Sequence, residues 1–317
     1  MIDPTVPHRA QNPAGTRPAA LSRRSVLTGL GALATTGVLS GCGLVQDTSA
    51  GAAGPAGAAG GTDRTITLIA TESAPFQEPI KIAQRLLQDQ GWELKPTYVT
   101  DIVQPNHAVS NGEFDANYFQ HIAYLKQFNQ DQGLSVEPSF YVYSSPAGLF
   151  STRHASVDDL PDGARIALPV DPANNGRALR LLDRAGRLTV APDISVVQLS
   201  QQHITANPHG YEFVEVDQQS LSKTLQDVDA GFLFVRLAGE LGLTTDQALA
   251  FEEEEDAVPY RVVVAGRDGF AATEKGTVLR QALQSPEVKA WFEDYLDGAL
   301  GTPWDADPQA DTDALEI

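Results

Sequence analysis

Between Thr65 and Ala299 the apolar positions alternate between two periods. Thr65–Ala70 is a short apolar and β-branched run that reads as a strand, and a turn follows at Ser73–Pro75. Ile80, Ala83, Leu86 and Leu87 then take helical spacing, and Gly91 stops that helix. Lys95–Thr100 reads as a second strand, Glu137–Thr152 as two extended runs around Ser144-Ser145-Pro146, and Ala164–Val170 as a short apolar strand. Ala178, Leu181, Leu182 and Ala185 mark a helix closed by Gly186. Phe213–Val216 and Ala230–Val235 are strands with a helix-like segment between them. Tyr260–Ala265 is a last strand, and Val288, Trp291, Phe292 and Tyr295 give a terminal helix one apolar face. This alternation predicts α/β layers with largely parallel sheets.

One stretch, Phe114–Leu125, is richer in chemistry than its neighbours. Taken as a helix, it places Asn117, His121, Tyr124 and Phe128 on one narrow face beside a core stripe of Tyr118, Ile122 and Leu125. That face is either the aromatic edge of a core or the wall of a cleft, and spacing alone leaves both open.

The first forty residues are an address rather than a fold. Arg9, Arg17, Arg23 and Arg24 precede an apolar run, Val26–Leu39, too short for a permanent span, which ends in Leu39-Ser40-Gly41-Cys42. Small residues before the chain's only cysteine fit a lipoprotein signal-peptidase site, with residues 1–41 removed and Cys42 carrying lipid. The alternative is a buried free cysteine closing a core helix. Ser22-Arg23-Arg24-Ser25 also resembles a twin-arginine export signal. Cleavage before Cys42 removes four arginines and one aspartate and leaves 18 basic against 40 acidic residues, a net charge of −22. Such a surface repels nucleic acid and anionic lipid, so membrane attachment is expected through lipid and no nucleic-acid partner is expected. Residues 42–63 read as a Gly/Ala-rich tether and 301–317 as a disordered acidic tail.

Catalytic signatures are missing. The chain has no Gly-x-Ser-x-Gly, no His-Glu-x-x-His, no phosphate loop and no thiol once Cys42 is acylated. Its six histidines are scattered without metal-ligand spacing, so neither a metal nor a cofactor is expected. Asp171-Pro172-Ala173-Asn174-Asn175-Gly176-Arg177 opens a helix, and an arginine in a first turn opposes the helix dipole unless an anion compensates it. The alternative is a solvated arginine behind an Asn cap. Glu252–Asp256, five acids in a row, reads as a solvated loop without a ligand role.

Several segments in order resemble the MetQ/NlpA family of methionine-binding lipoproteins. They are the Cys42 lipobox, Val103-Gln104-Pro105-Asn106, Gly112–His121, Leu160-Pro161-Asp162-Gly163, Asp171–Leu179 and Val228-Asp229-Ala230. The resemblance spans about Ile66 to Ala299 and implies a type II periplasmic-binding-protein fold. That fold has two α/β lobes, 64–146 with 260–300 and 147–259, joined by two crossover strands near Ala147–Ser151 and Tyr260–Ala265. It implies a monomeric, lipid-anchored, non-enzymatic binding component that delivers a small apolar amino acid to an ABC permease and its ATPase. Carried over by position, Phe119, His121 and Tyr124 line the side-chain pocket, Asn174 and His121 orient the ligand and Arg177 meets its carboxylate, while Phe234, which replaces a family residue, is expected to enclose the apolar part with Phe119 and Tyr124.

The chain also departs from the family pattern. Ile102 stands where the family has an aromatic, Phe76 where it has a histidine, and Phe234 and Val262 where it has asparagines, while Leu237 replaces a tyrosine. Two rival functions are a binding protein diverged toward a small peptide or an organosulfur carboxylate, and a lipid-anchored enzyme on a similar scaffold.

Overall fold

The computed structural model describes residues 63–316; the signal segment, Cys42 and the tether up to residue 62 lie outside the described residues. The chain first lays down β1 (Thr65–Thr71), α1 (Ala74–Gln88), β2 (Glu93–Val99), α2 (Gln104–Ser110), β3 (Ala116–His121), α3 (Ile122–Gln132) and β4 (Glu137–Ser144). A second set follows: β5 (Ala147–Phe150), β6 (Arg165–Pro169), α4 (Pro172–Arg184), β7 (Thr189–Val190), β8 (Ile204–Ala206), β9 (Glu212–Val216), α5 (Leu221–Thr224), β10 (Ala230–Phe234), α6 (Val235–Glu240) and β11 (Ala250–Phe251). It then returns through β12 (Arg261–Gly266), α7 (Glu274–Leu283), α8 (Pro286–Asp294) and α9 (Pro308–Ala314).

Two five-stranded sheets result, ordered β2-β1-β3-β12-β4 and β11-β5-β10-β6-β9, with β7 and β8 forming a separate pair. In each large sheet two strand pairs are parallel and two antiparallel, which corrects the expectation of largely parallel sheets. β12 re-enters the first sheet from the second and runs against β3 and β4. Every antiparallel pair contains β5 or β12, the strands at the two passages between the sheets. Only Ser145 and Pro146 separate β4 from β5, and the return passes through the turn between Phe251 and Arg261.

Local chemistry explains several joins. Pro79 has no N–H to give to the carbonyl of Pro75 four residues back, and the buried Tyr118 hydroxyl donates to that carbonyl instead, at 3.0 Å. This ties β3 to α1. Gly176 lies where α4 meets the 196–199 loop, and a Cβ there would sit 2.0 Å from the carbonyl oxygen of Val196. Only glycine allows that approach.

Residues 114–125 are not one helix. Ala116–His121 is a strand with every residue buried, and α3 starts at Ile122 with no intervening loop. A strand buried on both faces lacks polar alternation, which is why its pattern passes for a helix. The acidic tail is likewise ordered as far as it is described. Trp304 Nε1 donates to the Val142 carbonyl at 2.7 Å, Asp307 caps α9, and Asp311 accepts from the Tyr141 hydroxyl at 2.9 Å. Low hydropathy hid a segment held mainly by polar contacts.

Candidate functional site

The register between β12 and β3 passes from Val263 opposite Gln120 to Val264 opposite Tyr118, so Phe119 has no partner. This bulge breaks the two-residue alternation, and Phe119, Gln120 and His121 all reach one cavity. The cavity measures about 30 Å³, room for one or two waters. Phe76, Ile102, Phe119, Gln120, His121 and Tyr124 line it from one side and Gln218, Phe234 and Arg236 from the other, while Tyr143, Ser145 and Val262 close its base.

His121 is both the last residue of β3 and the N-cap of α3. Its Nδ1 accepts from the Tyr124 backbone N–H at 3.1 Å, so the proton sits on Nε2, which donates to Asn174 Oδ1 at 3.1 Å. Asn174 in turn donates from Nδ2 to Asp171 at 2.9 Å, and Asp171 accepts from Gln218 at 3.0 Å. The chain of bonds therefore links the two sheets' lobes through α3 and α4. Burial first and the nearby Arg177 charge second lower the His121 pKa to about 3, against the opposing effect of the bond to Asn174. The imidazole is neutral. Asp171 moves the other way, raised by burial and held back by its Gln218 and Asn174 bonds.

Aromatic packing fixes the rest of this wall. Tyr124 stacks on Phe128 and meets Phe119 edge-on, and its hydroxyl donates to the Ile102 carbonyl at 2.8 Å. Behind the wall Asn106, Asn117 and Gln120 share a buried amide network with bonds of 2.7–3.0 Å. The Val103–Asn106 motif thus locks α2 to β3.

Of the six side chains expected in a site, Phe119, His121, Tyr124 and Phe234 line the cavity, and Asn174 touches it through His121. Arg177 does not line it, and this is a correction. Its Nε and Nη2 each lie 2.5 Å from Glu252 oxygens, Nη2 also donates to the Ser145 carbonyl at 2.7 Å, and its guanidinium stacks 3.7 Å over the Tyr260 ring. The compensating anion is Glu252, whose side chain is only 5% exposed. Glu252 therefore leaves the solvated acidic run to which it was assigned, and Asp256 pairs with Arg184.

Sequence reasoning missed Arg236. It is 5% exposed and lines the cavity, and its Nη1 has no partner among the described residues. Its signal was present as a lone cation in the apolar run Phe232-Leu233-Phe234-Val235-Arg236-Leu237-Ala238. Among the described residues no group of three or more His, Cys, Asp or Glu could hold a metal, and no helix is long and apolar enough to cross a membrane.

The family model described as NlpA lipoprotein matches residues 67–304. The chain belongs to that family. A methionine-binding lipoprotein MetQ of Bacillus subtilis is 32% identical over 236 residues, covering 74% of this chain and 86% of the relative. A probable D-methionine-binding lipoprotein MetQ of Vibrio cholerae is 31% identical over 283 residues, 88% of this chain and 98% of the relative. Among solved structures, a nutrient binding protein from Burkholderia cenocepacia bound to methionine superposes with a TM-score of 0.70 at 30% identity, covering 75% of this chain and 99% of that one. The chain has the type II periplasmic-binding-protein fold, with two α/β lobes built on its two large sheets.

Proposed function

We propose that this NlpA-family chain is the lipid-anchored, extracytoplasmic binding component of a methionine-type ABC importer. It captures methionine or a related small apolar carboxylate between its lobes and delivers it to a membrane permease driven by an ATPase. The observation that carries the reading is the aromatic cavity between the lobes, bridged by the His121–Asn174 hydrogen bond. Phe119, Tyr124 and Phe234 supply the apolar contacts, and fully burying a thioether side chain among them contributes about 1.5–3 kcal/mol. Anchoring is through lipid on Cys42, with export through the twin-arginine route and a monomeric working form.

Calorimetric scanning of the lipidated protein in detergent tests capture. L-Methionine at about 100 times its dissociation constant adds about 2.7 kcal/mol of stability. No shift with methionine or any small apolar carboxylate overturns the reading, and turnover of a test compound turns it toward an enzyme. Cys42→Ala is expected to abolish incorporation of radiolabelled lipid, and incorporation that survives it overturns the anchoring.

A further inference from the structure

Among the described residues, one cation and no carboxylate line the cavity. Arg236 extends into it from the first turn of α6, with its Nη1 buried and without a partner among the described residues. The Tyr143 hydroxyl, at the base of the cavity, is also buried without a partner among the described residues. Glu240, one turn beyond Arg236, is exposed and forms no ion pair with it. The buried carboxylates nearby are committed elsewhere, with Asp171 on Asn174 and Gln218, and Glu252 on Arg177. Phe234 lies between the two arginines, its ring centroid 5.7 Å from the Arg177 guanidinium carbon and 5.5 Å from that of Arg236. Of the two arginines, only Arg236 lines the cavity.

An isolated buried charge is costly unless a counter-charge and hydrogen bonds reach it. A ligand carboxylate supplies both, accepting from the Arg236 guanidinium and the Tyr143 hydroxyl. An α-ammonium would bring a second cation to a cavity that offers it no carboxylate. Resting on the capture reading above, we infer that Arg236 with Tyr143 is the anion anchor of this cleft. The preferred ligand is an apolar-tailed carboxylate without an α-ammonium group.

Isothermal calorimetry on the lipidated protein in detergent tests this with L-methionine, its des-amino analogue 4-(methylthio)butanoate, and the carboxylate-free methioninol. The des-amino acid is expected to bind at least about tenfold tighter than methionine, and methioninol weakest. Arg236→Met is expected to weaken des-amino acid binding about 100-fold while raising the melting temperature of the unliganded protein, because an uncompensated buried charge is gone. Tyr143→Phe is expected to weaken binding about tenfold. A purely structural arginine would lower the melting temperature when replaced, and that result overturns the inference. Methionine binding that exceeds that of the analogue, or that ignores Arg236→Met, overturns the anchor and leaves capture standing. Failure of every compound to bind overturns capture and the anchor together.

Discussion

The two walls of the cavity differ in how their polar atoms are used. On the β3–α3 side Gln120 is held by Asn106 and Asn117, His121 by Tyr124 and Asn174, and the Tyr124 hydroxyl by Ile102. On the β10–α6 side the Arg236 guanidinium has a buried nitrogen with no partner among the described residues. A wall whose donors and acceptors are already matched supplies shape. A wall with an unmet donor supplies the demand that a ligand must satisfy. The two buried arginines of this lobe sharpen the lesson, since each keeps one buried nitrogen without a partner among the described residues, but Arg177 is ion-paired with Glu252 behind the cavity while Arg236, which lines it, has no ion pair among those residues.

The comparison can be broken at several points. The largest effect is expected from Glu252→Gln, which strands Arg177 in the interior. Denaturant unfolding should show a loss of about 3–5 kcal/mol, most of it regained by adding Arg177→Met. Asn106→Ala removes the hub of the amide network behind the first wall and should cost about 2–3 kcal/mol in the same assay.

The next effect is a pH dependence. Because the His121 pKa lies near 3 in the folded state, the unfolded chain takes up this proton first as pH falls below about 6.5. Stability is therefore flat in this term above pH 6.5 and declines below it. The loss should reach about 2 kcal/mol by pH 5. His121→Gln should flatten that decline in pH-resolved denaturation; an unchanged slope would show that other groups set it. The smallest effect is expected from Tyr124→Phe, about 1 kcal/mol, since one hydrogen bond is lost while ring stacking stays.

Periodicity and turn residues located most strands and helices to within a few residues, because β1, β6, α4 and α8 bury one clear face or one apolar run. The order of motifs carried the lobed architecture. Sequence could not distinguish a fully buried strand from a helix at Ala116–His121, since neither face meets water. The aromatic wall was legible because Phe119, His121 and Tyr124 cluster within six residues. The pairing of Arg177 was not, because Glu252 lies 75 positions along the chain and meets it only through the fold. Arg236 was hidden by an apolar context that reads as ordinary core. The ordered 301–316 segment was hidden by its acidity, although Lys126 donates to the Thr312 carbonyl at 2.8 Å and Ser195 to the carbonyl of Glu316.

The Arg177–Glu252 pair also touches both connections between the lobes. Arg177 holds the Ser145 carbonyl, a Glu252 carboxylate oxygen accepts from the Ala147 N–H at 2.9 Å, and Tyr260 lies flat against the guanidinium. The outgoing and returning chains are thereby riveted to each other and to α4. Mechanically this is a fulcrum fixed to the second lobe, so the freedom to swing lies on the other side of it, at Ser144–Ser145 and at Tyr260–Arg261. On opening, the first lobe is expected to be the lever, carrying the matched wall of β3 and α3 away from Arg236.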